Sequence, residues 1–481
     1  MQTNLSKTNK YKKLLSNTLI LGLGVFASKL LVFLMMPLYT GILSPDEYSL
    51  ADLISQSANL LMPLACIGIT DGVFRFTLDG EKDRSKVLSS GLFVLLAVGA
   101  IFMALSPLIS FVEYFASYSF LIVAYVMSAN LHSLCAQYVR ASNRTKLFAV
   151  QGILNTALVI LLNILLLVVF DMQVIGYVLS VVIADLLVTV FLIVVGKLYK
   201  DIKIKEIKWT TIKEMVKYSV PMIPATIFWW ITSVSDRYMV TWISGEVENG
   251  LYSAAYKIPT MLSLVSNVFI EAWQYSAVSE KEGRESFFGR VFEYYQVVLF
   301  IACGFMVGAS QIFIALLCAD SYFEAWRFVP VLSISAAFSG LTAFFGSVYL
   351  LKKKSVLTLI TSMSGAIINI VLNLLLIPRL GAQGAAISTC ISYAVVFVVR
   401  AVNTRKYVKF SLHSLRIALN MCLLSLQTFF LLSFDKYVIL IQCAFVLAII
   451  LVNIKPLLAT VKYIFSAILR KGKNKEKIKK N

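Results

Sequence analysis

The sequence predicts an all-α polytopic membrane protein of about fourteen transmembrane helices, two six-helix bundles forming a parallel repeat followed by two C-terminal helices. Three observations predict it. Of 481 residues, 59% are hydrophobic and only 14% charged, with a mean hydropathy of +0.82, far from the usage of a soluble domain. Apolar runs of about 20 residues, enough to cross roughly 30 Å of hydrocarbon, recur along the whole length. The connections between these runs alternate in charge.

The spans are read as 16–41, 47–74, 87–110, 117–139, 147–170, 173–196, 219–243, 249–275, 289–316, 326–350, 355–377, 382–404, 412–434 and 437–459. The leading MQTNLSKTNKYKK is basic, but the apolar run after it has no small-residue cleavage site and continues for a full span, which predicts a retained first helix. The longest polar connection, LYKDIKIKEIKWTTIKEMVK at 198–217, suits one amphipathic surface helix. The expected organisation is a first bundle over 1–200, a linker over 201–217, a second bundle over 218–408, and helices 13 and 14 with a basic tail over 409–481.

Cations set the orientation. Lys7, Lys10, Lys12 and Lys13 precede the first span, and every second connection after it is basic, from Lys82, Arg84 and Lys86 to Arg405, Lys406 and Lys409. The opposite connections hold Arg327, Arg379 and Lys436. The positive-inside rule then places both termini in the cytoplasm. In a soluble protein a formal charge of +19 would suggest a nucleic-acid partner; distributed this way, it is a topology signal with attraction to anionic membrane lipids.

A repeat emerges when the chain is laid on itself at a shift of 204 to 210 residues: EYSLADLI (47–54) lies over LYSAAYKI (251–258), and NILLLVVFDMQ (163–173) over NLLLIPRLGAQ (373–383). Six spans separate the copies, so they share an orientation, as in transporters that rock about an axis along the membrane normal.

Other chemistries find little support. The seven cysteines have no metal or redox spacing and read as small core residues. His132 and His413 are too few for a histidine metal centre and read as packed or interfacial. The chain has no Walker A pattern, no Asp-x-Asp motif and no long outer loop, which argues against an ATPase, a glycosyltransferase or a polymerase.

Function is sought among charges inside the spans. An ionisable residue at the bilayer centre costs about 2.5 to 3.5 kcal/mol on insertion scales and is expected to face a bundle interior or a wet cavity. Lys29, Asp52, Asp185, Asp236, Arg237, Lys257 and Glu271 qualify, with Asp71, Arg75 and Glu293 toward the cytoplasmic ends. Arg237 stands eight residues before Gly245 and Lys257 twelve after it, about 12 and 18 Å from the outer turn on ideal helices. Asp236 is therefore expected to neutralise Lys257 across the hairpin, leaving Arg237 available. Lys29, matched through the repeat to Ser233, offers a cation on the corresponding face of the first bundle. Lys29, Arg237 and Lys257 beside Trp229 and Trp230 suit an anionic headgroup carrying sugars, because cationic groups hold phosphate and aromatic faces stack on sugar rings. Asp52, Asp71, Asp185, Asp236 and Glu271 are assigned to cavity structure or ion coupling. Trp242 and Trp326 are expected as interface anchors, and Trp273 is left open.

The segment VPMIPATIFWWITSVSDRYMVTWISGEVENGLYSAAYKIP, with its Asp-Arg and Gly-Leu-Tyr-Ser elements, resembles helices seven and eight of the polysaccharide-transporter flippases of the MATE-like exporter superfamily. LNLLLIPRLGAQGAAISTCISY resembles their helices eleven and twelve, and the likeness runs through nearly the whole chain. The resemblance implies a flippase of the bacterial plasma membrane that moves O-antigen, capsule or exopolysaccharide units on undecaprenyl diphosphate by alternating access. Lys29 matches the family's first-helix cation and Arg237 the arginine of SDRYM. It further implies coupling to a proton or sodium gradient, no catalytic residue, and a polysaccharide polymerase and export proteins as protein partners. A peptidoglycan-precursor flippase of the same fold is the near alternative; a drug or cation antiporter would favour acidic cavity residues.

Overall fold

The computed structural model describes residues 31–458 except 32, 81–82, 112, 280–283, 353 and 435–436. Lys7, Lys10, Lys12, Lys13, Lys29, Lys82, Lys281, Lys353, Lys436 and the C-terminal basic tail lie outside the described residues, as do the side chains of Trp229 and Glu271. The fold is all-α, with no strand among the described residues. Eight described helices are long and apolar enough to cross a membrane, nine if one bent pair counts as a single span.

In chain order the helices are α1 (Met36–Ile42), α2 (Pro45–Ala65), α3 (Ile69–Asp79), α4 (Arg84–Ala104), α5 (Ser119–Ala141), α6 (Thr145–Asn163), α7 (Gln173–Val195) and α8 (Trp209–Ser219). They continue as α9 (Ile223–Ser244), α10 (Glu246–Ser279), α11 (Arg284–Gly308), α12 (Ser310–Leu317), α13 (Val329–Leu351), α14 (Ser355–Thr404), α15 (Ser414–Ser433) and α16 (Val438–Val452). The chain forms two compact units, one of Met1–Ser253 with Leu317–Ser321, the other of Ala254–Leu316 with Tyr322–Asn481.

In the first unit, α2 begins at a capping box. Glu47 accepts hydrogen bonds from the Ser44 amide (2.9 Å) and hydroxyl (3.0 Å), satisfying donors that a helix start leaves open. The predicted single span 47–74 is in fact two helices meeting at 58°. Pro63 removes a hydrogen bond near the end of α2, and Ile67 (φ 46°) and Gly68 (φ 65°) turn the chain left-handed before α3 restarts it. Polar-linker residues do form an amphipathic helix, α8, which buries Thr211, Ile212, Met215 and Ser219 and leaves Trp209 exposed. Its apolar side joins the core of Ile69, Val73, Val87, Leu88, Leu134 and Leu192. The loop before it is tied down by the Tyr138 hydroxyl donating to Asp201 at 2.9 Å. A six-residue π-helix, Ile164–Val169, extends α6.

The second unit is built around α13, whose buried Phe344 and Phe345 meet Trp273, Phe288, Phe292 and Phe410. Trp273 is 3% exposed and stacks on Phe344 at 4.8 Å, so it belongs to this core. Trp242 is exposed, whereas Trp326 is buried with the Arg327 guanidinium over its ring. Helix α14 is two spans: at Gly381 the backbone leaves helical geometry (φ 56°, ψ −143°) three residues after Pro378. The hydrogen bond from Asn369 to Thr389 (3.1 Å) and that from Arg400 to Thr361 (2.9 Å) show its halves running back along each other. Buried amides tie α15 to its neighbours: Asn453, at the end of α16, donates to Asn420 at 2.7 Å, and Gln427 donates to the Gly304 carbonyl of α11 at 3.0 Å.

The repeat is visible in burial and backbone. Tyr48, Ser49, Ala51 and Ile54 are buried, and so are Tyr252, Ser253, Ala255 and Ile258 at the same places of the matched segment. Asp171 (φ 49°) and Gly381 (φ 56°), matched at the 210-residue shift, both turn the chain left-handed between successive spans.

Candidate functional site

Residues on one stripe of α2 recur at helical spacing: Ser49, Asp52 and Leu53, then Gln56 and Ser57. Each meets α9 or the start of α10. Nearest the turn at Gly245, the Asn249 amide donates to Ser49 at 2.8 Å. Deeper, the Arg237 guanidinium donates through Nη1 to Asp52 Oδ2 in an ion pair whose residues are 5% and 3% exposed. Ser253 donates to the same oxygen at 3.2 Å. Deeper again, Ser57 and Tyr238 share a hydrogen bond of 2.7 Å, and the Trp230 indole donates to the Gln56 carbonyl at 2.9 Å.

Asp236 has separate duties from its neighbour. Its Oδ2 accepts from the Tyr252 hydroxyl at 2.6 Å, and its Oδ1 accepts from the Arg237 amide at 2.9 Å. Successive residues diverge by about 100° on a helix, so the carboxylate faces α10 while the guanidinium faces α2. The sequence reading left Arg237 without a carboxylate partner, and the structure supplies Asp52. Both are desolvated, and such a pair holds only when each ion keeps good hydrogen bonds.

A second polar cluster was not foreseen. At the middle of α5, α6 and α7, His132 Nδ1 lies 2.9 Å from Asp185 Oδ1, and His132 Nε2 lies 2.7 Å from Gln151 Oε1. Asn155 donates to Asp185 at 2.7 Å. The sequence named Asp185 and His132 separately, and nothing in their spacing announced that they meet. Asp71 is exposed in the first turn of α3, and Lys257 is half-buried in the second unit. Among the described residues, no three His, Cys, Asp or Glu side chains gather as a metal site.

Sequence reasoning also passed over Arg400, which is 6% exposed in the second half of α14. It donates to Thr361 (2.9 Å), Ser362 (2.9 Å) and the carbonyls of Thr342 (3.2 Å) and Thr358 (3.5 Å). The available signal was a single arginine inside the apolar run 382–404.

The profile of a family described as "Polysaccharide biosynthesis protein" matches residues 14–274. Comparison with curated proteins finds no match. Among solved structures, the chain is similar to a lipid II flippase, MurJ, in an inward closed conformation. The TM-score is 0.69 at 15% identity, covering 93% of this chain and 99% of that one. It is also similar to an inward-facing multidrug resistance MATE family transporter of the MOP superfamily (TM-score 0.62, 14% identity, 79% and 94% covered). A third is a MOP superfamily transporter from Pyrococcus furiosus whose title describes a binding pocket of reverse polarity (0.57, 13%, 81% and 94%). At these identities the likeness is one of fold.

Proposed function

We propose that this chain, which belongs to the polysaccharide biosynthesis protein family matched over residues 14–274, translocates undecaprenyl-diphosphate-linked oligosaccharides from the inner to the outer leaflet of the bacterial plasma membrane. The observation that carries the reading is that the family match spans a membrane segment holding a buried guanidinium, Arg237. The flippase-type fold shared with the MOP-superfamily structures agrees with it. A guanidinium inside a membrane protein is costly and usually marks a pathway or a structural tie; it also matches phosphate oxygens in its donor fork.

In the cycle we read, the seam between α2 and α9 parts, Asp52 gives up Arg237, and the cargo's diphosphate takes the guanidinium. The exchange replaces one buried anion by another, so the cation is not left unpartnered during alternating access. Lys29, Trp229 and Trp230 join Arg237 in the proposed set for headgroup and sugars, and Lys257 is a further candidate cation of the second unit. Asp52, Asp71, Asp185, Asp236 and Glu271 keep the site ordered or couple it to a proton or sodium gradient. Both termini are cytoplasmic in this reading, and the product is handed to a polymerase and export proteins for O-antigen, capsule or exopolysaccharide synthesis.

Depletion tests the cargo. The reading predicts that an undecaprenyl-linked glycan accumulates when the protein is removed, and its composition names the polymer. Accumulation of lipid II with arrest of wall synthesis would instead make this a peptidoglycan-precursor flippase, the reading that the MurJ-like fold favours. Unchanged lipid-linked glycans with altered drug tolerance would make it an antiporter.

A further inference from the structure

The His132–Asp185 cluster has an unusual proton count. Gln151 Oε1 lies 2.7 Å from His132 Nε2, a contact that a protonated Nε2 satisfies. Nδ1 faces a carboxylate oxygen at 2.9 Å, and two lone pairs do not meet at that distance without a hydrogen between them. Asn155 already donates to the same oxygen. Asn155 Nδ2 also stands 3.5 Å from Nδ1. With Gln151 in this orientation and a proton on each ring nitrogen, the arrangement accommodates one proton more than a neutral imidazole beside a carboxylate.

Position adds to this. His132 is thirteen residues into α5, which has 23, and Asp185 twelve residues into α7, which also has 23; on ideal helices both are about 18–20 Å from the outer helix ends, near the membrane midplane. Their side chains are 16% and 8% exposed. Among the described residues, no lysine or arginine lies within ion-pair distance of Asp185. With the proton the pair is neutral overall; without it a net negative charge stays in the protein interior, an unfavourable state.

The groups around the pair are few. The phenols of the neighbourhood are Tyr125 of α5 and Tyr177 of α7, the latter with its ring centroid 5.0 Å from that of Tyr39. Asp52 of α2 is already engaged by Arg237. The charged residues of α4 and α6, among them Arg84, Lys86 and Lys146, stand in the first turns, and Asp71, Arg75 and Asp79 of α3 are exposed.

We propose that His132 and Asp185 form a proton-carrying site of the transport cycle, loaded as imidazolium and carboxylate and unloaded as imidazole and carboxylate. The proton passes between Nδ1 and water admitted from one side of the membrane at a time, and no other bond changes. This rests on the flippase reading for its role in transport, though not for its chemistry.

Two measurements test it. The chain has only two histidines, so His413→Asn, which keeps a residue tolerant of the left-handed φ of 48° there, leaves His132 as the sole imidazole for nitrogen NMR in nanodiscs. Both ring nitrogens should be protonated at neutral pH, and only one after Asp185→Asn. A singly protonated ring in the Asp185 protein would overturn the site. The second uses vesicles holding undecaprenyl diphosphate as the probe, with phosphatase reading its leaflet. One proton exchanged per probe molecule means that a gradient of about one pH unit shifts the leaflet ratio about tenfold. The wild-type protein should show this shift, and His132→Gln and Asp185→Asn, at matched insertion, should not. A full response in both variants would overturn coupling through this pair. A wild-type protein that does not move the probe would count against the flippase reading alone, and the nitrogen spectra would then decide the proton site.

Discussion

Asp52 and Arg237, 185 residues apart in the chain, form a buried ion pair across the seam between α2 and α9. Removing one partner of such a pair leaves an uncompensated charge and costs about 3–5 kcal/mol, whereas replacing both by apolar residues is far milder. Asp52→Leu and Arg237→Leu should each lower the melting temperature in detergent more than the double substitution does. Strictly additive losses would show that the two do not interact.

Function should separate the pair. Because Arg237 is assigned to the cargo and Asp52 only to holding it, Arg237→Lys should insert normally yet export little glycan, since a point charge does not reproduce the guanidinium fork. Asp52→Glu should retain most export. Equal export by both variants at matched protein levels would count against this division.

Tyr252→Phe removes a hydrogen bond to the Asp236 carboxylate. Hydrogen bonds to charged groups are worth about 1.5–3 kcal/mol, so a loss of melting temperature is expected with the α9 helix otherwise intact. An unchanged melting curve would mean that Asp236 draws its stability elsewhere.

Gly250 lies where a Cβ would come within 1.8 Å of the Pro45 carbonyl oxygen. Gly250→Ala must therefore push the start of α10 off α2 and weaken the Asn249–Ser49 bond beside it; overpacking of this kind costs about 1–3 kcal/mol. Easier proteolysis near residue 245 is the expected readout, and wild-type resistance would refute the close approach.

Arg400, on the second half of α14, reaches α13 and the first half of α14 through one planar group. Arg400→Lys should destabilise the second unit nearly as much as Arg400→Leu, because an ammonium cannot span those acceptors. Full rescue by lysine would assign the position to charge alone.

Much of the fold was legible because its causes are local. Apolar runs and the matched segments 47–54 and 251–258 stand in the sequence. The bend after α2 was missed because the apolar run continues through it, hiding two helices under one hydropathy peak. Partners were not legible. Asp52, Arg237, His132 and Asp185 were each visible as polar residues in apolar spans, but which of them meet depends on helix rotations that periodicity within one span does not set. Arg400 was hidden by its nearness to the span end, where a basic residue reads as a topology signal.

The central claim is that the protein carries a lipid-linked glycan across the membrane. The direct measurement is the sidedness of undecaprenyl-linked glycan in spheroplasts depleted of the protein, read by a membrane-impermeant oxidant that destroys only outward-facing sugars. The account predicts that one such glycan rises in amount and becomes protected from the oxidant, and that restoring the wild-type protein, but not Arg237→Ala, reverses this. Every undecaprenyl-linked glycan remaining as accessible as before depletion would contradict it.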